Sequence, residues 1–270
     1  MDLYAVVGNP IAHSKSPQIH AEFARQTGQE LSYTALLAPL EGFAHTVREF
    51  LNKGGKGLNV TVPFKLEAYQ FADELSEKAK NAGAVNTLIY TGNGIKGDNT
   101  DGIGLVRDLS DNLRFRLEGA RILLLGAGGA ARGVIGDLLK QCPEMITIAN
   151  RTVSKAEELV HRFSDMGKLS AIGLHDFKGR EFDLIINSTS TSLQNEVIPI
   201  PSKTFAQYSL AYDMMYGKHP SLFLELALQN GAQIADGLGM LVEQAAESFY
   251  LWRGIYPQTQ PVLKQLREHM

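Results

Sequence analysis

The stretch ILLLGAGGAARG at residues 122–133 constrains the fold of this chain more than any other feature. Four apolar residues typical of a buried strand run directly into a glycine turn, and residues that favour a helix follow. Gly126, Gly128 and Ala131 match the spacing G-x-G-x-x-G/A, in which small residues let the backbone approach a pyrophosphate at a helix N-terminus. The pattern predicts a Rossmann-type α/β unit that binds a dinucleotide. The alternative is a tight strand-to-helix turn that needs glycine only for its backbone.

The end of the next predicted strand, EMITIAN at 144–150, indicates which dinucleotide binds. An NAD site usually carries Asp or Glu about twenty residues after the glycine turn, to accept a hydrogen bond from the ribose 2′-hydroxyl. Here the chain has Asn150, Arg151 and Thr152, with Lys155 one turn later. Two cations and no carboxylate suit a 2′-phosphate, so the sequence predicts NADP. The alternative, a solvated helix start, would place two cations at the positive end of a helix dipole.

Short β-favouring runs alternate with helical patterns along most of the chain. This alternation predicts an α/β fold of two lobes, each with a mostly parallel sheet covered by helices. A helical pattern at 101–118, rather than a flexible linker, separates the two blocks, and from residue 237 the pattern is helical throughout. The predicted strands are 3–8, 31–38, 57–63, 84–90, 120–125, 144–150, 183–187 and 209–214.

Composition excludes several classes of function. The formal net charge is 26 − 29 = −3 without a run of basic residues, so neither nucleic acid nor an acidic membrane surface is an expected partner. A single cysteine, Cys142, rules out an intrachain disulfide, and seven scattered histidines have no metal-ligand spacing. The N-terminus lacks a basic region, and no apolar run approaches the ~20 residues of a membrane helix. We expect a soluble cytoplasmic protein without a metal.

Polar side chains cluster at or just beyond the predicted strand ends in the first half of the chain. In open α/β sheets, ligands bind in the crevice outside the carboxyl ends of the strands. Each polar group buried without a partner costs roughly 1–3 kcal/mol, and this set suits a small acid rich in hydroxyl groups. We therefore predict that a ligand, not the protein framework, satisfies them. The cluster comprises Ser14, Lys15, Ser16, Asn59, Thr61, Lys65, Asn86 and Asp101.

Each of these residues also has a purely structural interpretation. Ser16, before a proline, is typical of a helix start with serine as N-cap, Asn86 of a turn, and Asp101 of a helix cap. Lys65 alone would be a surface residue. A further polar position, Gln244, borders the apolar face of a predicted helix and needs a partner.

Eight motifs, in this order and spacing, resemble the bacterial shikimate dehydrogenases of the NADP-dependent biosynthetic kind. The resemblance extends over nearly the whole chain and implies reversible reduction of 3-dehydroshikimate to shikimate by NADPH in aromatic amino-acid biosynthesis. It implies a substrate-binding and catalytic domain at 1–101, a Rossmann-type NADP domain at 102–236, and C-terminal helices at 237–270 that return to the first lobe. The motifs are GNPIAHSKSP (8–17), NVTVPFK (59–65), AGAVNT (82–87), GDNTDG (97–102), GAGGAAR (126–132), NRTVSKAEEL (150–159), YDMMYG (212–217) and DGLGMLVEQAA (236–246).

The resemblance also assigns roles to individual residues. Lys65 and Asp101 correspond to the family's catalytic pair. Lys155 stands where Arg is common, which implies a looser hold on the phosphate because lysine cannot form a bidentate fork. The implied substrate residues are Ser14, Ser16, Asn59, Thr61, Lys65, Asn86, Asp101, Tyr216 and Gln244. The implied cofactor residues are Gly126, Ala127, Gly128, Gly129, Ala130, Asn150, Arg151, Thr152, Lys155, Met214, Gly237 and, in some members of the family, the position of Glu77.

Three other functions stay open from the sequence alone. A quinate/shikimate dehydrogenase with relaxed cofactor use shares the first-half motifs, but Arg151 and the missing acid after EMITIAN disfavour it. A methylenetetrahydrofolate dehydrogenase has a comparable two-lobe plan and a lysine, but nothing here is built to stack a pterin. A ligand-sensing regulator would have no need of Lys65 and Asp101. The sequence leaves monomer or homodimer undecided, and two lobes predict a cleft that closes on its ligand.

Overall fold

The computed structural model describes residues 1–177, 179–189, 198 and 200–270. These residues form two compact units. The first consists of Met1–Gly104 with Leu241–His269, and the second of Leu105–Met240 with Met270. Both dividing lines fall inside helices, at Asp101–Arg107 and Leu238–Arg253, rather than in loops.

The first unit is built on six strands: β1 (Asp2–Gly8), β2 (Leu31–Leu37), β3 (Gly55–Val60), β4 (Glu74–Leu75), β5 (Thr87–Tyr90) and β6 (Ile95–Asp98). Their order across the sheet is β2-β1-β3-β5-β6-β4. β1 runs parallel to β2 and β3, and β4 runs parallel to β6, whereas β5 is antiparallel to both neighbours. The helices that follow these strands are α1 (Ser16–Thr27), α2 (Phe43–Asn52), α3 (Lys65–Phe71), α4 (Glu77–Ala82) and α5 (Asp101–Arg107).

The strand predicted at 57–63 is wrong at its C-terminal end. β3 stops at Val60, because Pro63 has no N–H to extend the ladder and Phe64 turns back to donate to the Thr61 carbonyl oxygen. Thr61 donates its own N–H to Val7 and lies just past the strand. Its Cγ2 lies against Gly8, where a Cβ would approach it to 2.5 Å. The polar end of this strand is therefore a turn.

The second unit is built on six further strands: β7 (Arg121–Leu125), β8 (Met145–Asn150), β9 (Leu169–Gly173), β10 (Phe182–Asn187), β11 (Phe205–Asp213) and β12 (Gln233–Asp236). All its pairings are parallel, in the order β12-β11-β10-β7-β8-β9. Counted within the unit, this is the 6-5-4-1-2-3 arrangement of the dinucleotide-binding fold, so the predicted Rossmann-type sheet is confirmed. Its helices are α6 (Gly129–Leu139), α7 (Val153–Arg162) and α8 (Leu222–Gln229).

Alternating residues of β7 face two separate cores. Ile122 and Leu124 pack with the apolar sides of α6 and α7, whereas Leu123 and Leu125 pack with α8. A parallel strand covered on both faces is expected to be apolar throughout, as ILLL is. Polar side chains in such a sheet are left to the strand ends, where a ligand can reach them.

Two C-terminal helices complete the chain, α9 (Leu238–Arg253) and α10 (Gln260–Glu268). From Leu241 onward they belong to the first unit. Arg253 pairs with Asp2 and donates to Gln29 Oε1 at 2.8 Å, and Trp252 donates its ring N–H to the Leu88 carbonyl oxygen at 3.1 Å. The C-terminal end of α9 thus contacts β1 and β5 of the sheet in the first unit.

Gly57 in β3 gives a test of this packing. A Cβ at Gly57 would collide with the indole nitrogen of Trp252 and lie 2.9 Å from the Leu88 carbonyl oxygen. We expect Gly57→Ala to lower the free energy of unfolding by about 1–3 kcal/mol, as overpacking does. Urea unfolding followed by the fluorescence of Trp252, the single tryptophan, measures it.

Gly136→Ala in α6 is the matched control, because its Cβ would meet Phe163 at an ordinary 3.6 Å. Removing a helical glycine should leave stability unchanged or raise it by about 0.4–1 kcal/mol. Circular dichroism follows this variant. Equal stability of Gly57→Ala and the parent protein would contradict the described packing of Trp252.

Candidate functional site

Lys65 and Asp101, the predicted catalytic pair, face each other in the first unit. Lys65 is the first residue of α3 and Asp101 the first of α5, so the starts of two helices hold the side chains. Lys65 Nζ lies 2.6 Å from Asp101 Oδ2. The aspartate side chain is 7% exposed and the lysine side chain 31% exposed. The ammonium is therefore the accessible partner, and the buried carboxylate holds it.

The carboxamide of Asn86 holds the same aspartate from its other oxygen. Asn86 Nδ2 lies 2.8 Å from Asp101 Oδ1, 3.0 Å from Thr100 Oγ1 and 3.1 Å from Gln244 Oε1. Asn86 Oδ1 accepts from the backbone N–H of Thr100 and from the Thr87 hydroxyl. The two hydrogens of Asn86 Nδ2 are thus shared among three acceptors, and the hydrogen bonds of the surrounding residues fix the orientation of the amide.

Asn59 is likewise hydrogen-bonded within the protein. Its Oδ1 accepts from the Tyr33 hydroxyl at 2.7 Å, and its Nδ2 lies 2.9 Å from Ser248 Oγ and 3.2 Å from Thr87 Oγ1. The hypothesis that a ligand alone satisfies the polar strand ends is therefore wrong for Asn59 and Asn86. These side chains orient one another, so a ligand would meet groups that are already ordered.

Ser14 and Ser16 flank the start of α1. The predicted N-cap role of Ser16 is wrong, because Lys15 occupies the cap without a side-chain hydrogen bond and Ser16 is the first helical residue. Ser14 Oγ accepts from the Ser16 backbone N–H at 3.3 Å, and the Ser16 side chain lies close enough to Tyr33 to oppose the rise in the pKa of its hydroxyl. Since Tyr33 also donates to Asn59, the structure brings both serines close to that amide.

A buried histidine, His20, stacks on the ring of Tyr33. The His20 ring stacks on Tyr33 with centroids 4.1 Å apart, and Trp252 and Phe249 lie on its other sides. Burial lowers the pKa of His20 to about 3, and the nearby Asn59 acts in the opposite direction. Among the described residues, neither ring nitrogen has a well-aligned hydrogen-bond partner. Desolvation also raises the pKa of Tyr33 well above its usual value, so its hydroxyl remains a donor.

The glycine turn of the second unit has the open backbone that a pyrophosphate needs. Gly126 follows β7 with φ of +99°, a conformation that favours glycine. A Cβ at Gly128 or Gly129 would meet nothing within 4 Å, so side chains leave this space open. α6 begins at Gly129, and the N–H groups of its first turn lack intrahelical partners. With Ala127 and Ala130 the turn fits a dinucleotide pyrophosphate.

The end of β8 carries the two predicted phosphate-binding cations. Arg151 and Lys155 are exposed, and the first turn of α7 has no acidic residue. Asn150 donates its amide to the Thr152 carbonyl oxygen at 2.8 Å, which orders the turn between strand and helix. Two accessible cations at a helix N-terminus fit a phosphate better than they fit the bare ribose hydroxyls of NAD.

Met214 and Gly237, the two positions expected beside the nicotinamide, are neighbours in the second unit. Gly237 donates its N–H to the Met215 carbonyl oxygen at 3.0 Å, and a Cβ at Gly237 would collide with the Met214 carbonyl group. Tyr216 lies in the same unit. Burial and, to a lesser degree, the charge of Asp236 raise the pKa of Tyr216.

Glu77 stands apart from the other predicted cofactor residues. It is the first residue of α4 in the first unit, whereas all the others belong to the second unit. Its side chain is 82% exposed and forms an ion pair with Lys80 at 3.1 Å. The structure gives Glu77 a surface environment.

Sequence analysis missed a polar group at the carboxyl end of β10. Asn187 ends the strand, and Ser188 and Thr189 follow it. A Cβ at Gly126 would come within 2.9 Å of Thr189 Cγ2 and 3.0 Å of Ser188 Oγ. These residues therefore line the glycine turn where β7 and β10 are adjacent, the switch point at which this fold binds ligands. The signal was present as the polar triplet NST directly after the apolar run LII.

Three family models match consecutive parts of the chain. The shikimate dehydrogenase substrate binding domain matches residues 6–88, the shikimate / quinate 5-dehydrogenase model 108–199, and the shikimate 5′-dehydrogenase C-terminal domain 237–267. A relative from Nitrosospira multiformis named shikimate dehydrogenase (NADP(+)) is 58% identical over 270 residues, which cover 100% of this chain and 98% of the relative. The chain belongs to the shikimate dehydrogenase family.

Solved structures similar to this member of the shikimate dehydrogenase family agree in fold over the whole chain. An Ael1 enzyme from Pseudomonas putida is 44% identical, with 98% of each chain covered and a TM-score of 0.95. Shikimate 5-dehydrogenase from Thermus thermophilus, in complex with NADP(H) and shikimate, is 32% identical, with 100% of each chain covered and a TM-score of 0.88. The two-sheet architecture described above is thus that of the family.

The family models also locate the predicted residues. Lys65 and Asn86 fall in the segment that matches the substrate binding domain, and Gln244 in the C-terminal domain, whereas Asp101 lies between two matched segments. Within the residues that the structure describes, no helix has the length and apolarity to cross a membrane. No three His, Cys, Asp or Glu side chains of this part are grouped to hold a metal.

His20 makes stability depend on pH in a predictable direction. Folded His20 stays neutral down to about pH 3, whereas in the unfolded chain it takes up a proton near its ordinary value of 6.5. Acidification below 6.5 therefore favours unfolding, by up to about 1.4 kcal/mol per pH unit. His20→Phe keeps a stacking ring and removes this proton. Between pH 7 and 5, the parent should lose about 2 kcal/mol more unfolding free energy than His20→Phe.

Urea titrations at the two pH values measure this difference. His13→Phe, at an exposed position seven residues upstream, reports any general effect of exchanging histidine for phenylalanine. If the His20→Phe and parent curves fell in parallel between pH 7 and 5, the buried neutral histidine would be refuted.

Proposed function

We propose that this chain catalyses the reversible NADPH-dependent reduction of 3-dehydroshikimate to shikimate, a step of aromatic amino-acid biosynthesis. The observation that carries the proposal is the Lys65–Asp101 pair at 2.6 Å, with the second carboxylate oxygen held by Asn86. An accessible ammonium fixed by a buried carboxylate suits transfer of one proton to a carbonyl oxygen. The family membership supports the same chemistry and the same substrate.

The proton transfer follows from the geometry of the pair. When bound, NADPH supplies the hydride that reaches the substrate carbonyl carbon. As the carbon–oxygen double bond opens, negative charge grows on the oxygen; the Lys65 ammonium stabilises it and donates its proton, giving the hydroxyl group. Asp101 keeps the ammonium in place through Oδ2. In oxidation the neutral amine of Lys65 accepts the hydroxyl proton.

The first unit would hold the substrate through two neighbouring groups of side chains. Tyr33 lies near Ser16 and donates to Asn59, and Asn86 donates to both Gln244 and Asp101. We assign the substrate carboxylate to serine hydroxyls and the ring hydroxyls to amides, a threonine and the catalytic pair. The proposed carboxylate residues are Ser14 and Ser16, with Tyr216 of the second unit assisting; the proposed hydroxyl residues are Asn59, Thr61, Lys65, Asn86, Asp101 and Gln244.

The second unit would hold NADP. The open turn from Gly126 to Ala130 suits the pyrophosphate, and the exposed Arg151 and Lys155 suit the 2′-phosphate. Asn150 and Thr152 would complete the phosphate site, and Met214 and Gly237 would flank the nicotinamide. Glu77 enters this proposal through the resemblance alone.

A quinate-oxidising activity is the second candidate, because the model that matches residues 108–199 is named for shikimate and quinate. Initial rates with NADP⁺ or NAD⁺ and with shikimate or quinate, each at saturation, separate the candidates. With shikimate, we expect kcat/KM for NADP⁺ to exceed that for NAD⁺ by about tenfold or more, since charged hydrogen bonds to the 2′-phosphate contribute ~1.5–3 kcal/mol. With NADP⁺, we expect shikimate to be oxidised faster than quinate, in line with the names of the relatives. Comparable turnover with NAD⁺ or quinate favours the second candidate; none with any pair favours a ligand sensor.

Lys65→Ala tests the assigned catalytic role. Removing the general acid should lower kcat by ~10²–10⁴ while the affinity for NADP⁺, measured by titration, stays near that of the parent. Lys96→Ala, at a half-buried strand position of the same unit, is the control and should keep the parent kcat. A defect confined to KM for shikimate would make Lys65 a binding residue and would contradict the mechanism.

Cellular location and assembly complete the proposal. We infer a cytoplasmic enzyme, because a chain with a single cysteine fits a reducing compartment. Its partners would be small molecules, and it would act as a monomer or homodimer. Light scattering of the purified protein distinguishes these two states.

A further inference from the structure

A buried carboxylate in the second unit has no part in the mechanism above. Asp108 is 3% exposed and begins a π-helical segment, Asp108–Asn112, a type of distortion frequent near functional sites. The fully buried Tyr212 donates to Asp108 Oδ2 at 2.6 Å, and Asn112 donates to Oδ1 at 2.8 Å. Burial raises the pKa of Asp108, and the hydrogen bond from Tyr212 opposes that shift.

This carboxylate packs on the backbone of the first turn of α9. A Cβ at Gly239 would collide with the Asp108 carboxylate, so only glycine leaves room for this approach. The backbone N–H of Met240, the next residue, lies close enough to the same carboxylate to oppose the rise in its pKa. Asp236 supplies a second acceptor, to the N–H of Leu238 at 3.2 Å. Asp236 thus satisfies an N–H group that the helix itself leaves without a partner, and the Asp108 carboxylate lies against the same turn.

The turn fixed in this way is continuous with Gly237. Gly237 donates to the Met215 carbonyl oxygen and is pressed on the Met214 backbone so closely that a Cβ has no room. Tyr212 and Met214 are two residues apart at the end of β11. Asp108 therefore connects both sides of the Met214–Gly237 contact, β11 through Tyr212 and α9 through Gly239 and Met240.

We propose that Asp108 is a positioning residue for hydride transfer, which with Tyr212 clamps the backbone of Gly237 against Met214. The inference rests on the proposed function, because that function places the nicotinamide beside these two positions. Asp108 touches neither cofactor nor substrate in this account; it acts through the first turn of α9. Misplacement of reacting groups by about 1 Å costs ~10²-fold in rate, so a loosened clamp should reduce kcat.

Tyr212→Phe is the leading variant, because it removes one hydroxyl and keeps the buried ring. We expect kcat for shikimate oxidation to fall by about five- to fiftyfold, with KM for shikimate within about twofold of the parent. The primary isotope effect on kcat, measured with shikimate deuterated at the oxidised carbon, should rise as hydride transfer becomes slower. Tyr208→Phe makes the same change on the same strand, where the side chain is 78% exposed, and should match the parent.

A second pair of variants tests the contact itself. Gly239→Ala should lower kcat in the parent, because the new methyl group meets the Asp108 carboxylate. In an Asp108→Ala background the obstacle is gone, so Gly239→Ala should cause no further loss. Adenosine 2′,5′-bisphosphate, which lacks the nicotinamide half of NADP⁺, should bind every variant with the parent affinity. Thermal midpoints are recorded for all variants.

The outcomes separate the clamp from a merely structural pair and from a wrong function. Parent values of kcat and isotope effect in Tyr212→Phe and Gly239→Ala would overturn the inference. A loss of adenosine 2′,5′-bisphosphate affinity by the same factor as the loss of kcat would also overturn it, because it would indicate a general loosening of the unit. If the parent protein fails to oxidise shikimate, the proposed function fails. The clamp is then tested independently by the ratio of the NADP⁺ affinity to the adenosine 2′,5′-bisphosphate affinity in each protein. A ratio in the variants equal to that of the parent rejects the clamp.

Discussion

The carboxamide of Asn86 connects three segments of the first unit that are distant in sequence. It bonds the start of α5 through Thr100 and Asp101, and α9 through Gln244. Asn86 is 3% exposed, so each of its polar atoms left without a partner would cost roughly 1–3 kcal/mol. The same bonds that stabilise this junction also aim Asp101 at Lys65. The fold therefore sets the geometry of the proposed catalytic pair before any substrate arrives.

The second unit differs from the first in where its polar groups can lie. Its parallel strands are covered on both faces, so apolar side chains fill the strands and polar groups are confined to their carboxyl ends. At the switch point between β7 and β10, the glycine turn exposes backbone N–H groups rather than side chains. Cofactor binding there depends on the absence of side chains at Gly128 and Gly129, which leaves the approach to the backbone open. The first unit depends on side-chain networks instead.

The features that could be predicted from the sequence are those whose physical requirements are local. The glycine turn, the cations Arg151 and Lys155, and the Rossmann-type sheet could be predicted because each physical requirement is met within a few residues. The partners of Asn59 could not, because Tyr33 and Ser248 lie 26 and 189 residues away and show no periodic signal. Strands β4, β6, β9 and β12 were missed, since each is short and carries glycine or polar residues. The contact of Asp108 with Tyr212 was not predicted either, because the two residues lie 104 positions apart.

The most direct measurement of the central claim is a crystal structure of this chain with shikimate and NADP⁺ bound. If the amides are ordered by the fold, Asn86 keeps its bonds to Thr100 and Asp101, and Lys65 Nζ stays near Asp101 Oδ2 while reaching a hydroxyl of the ligand. The contrary result is equally clear. An Asn86 amide rotated away from Asp101 onto the ligand, or a ligand bound away from Lys65, would show that the substrate, not the protein, organises this site.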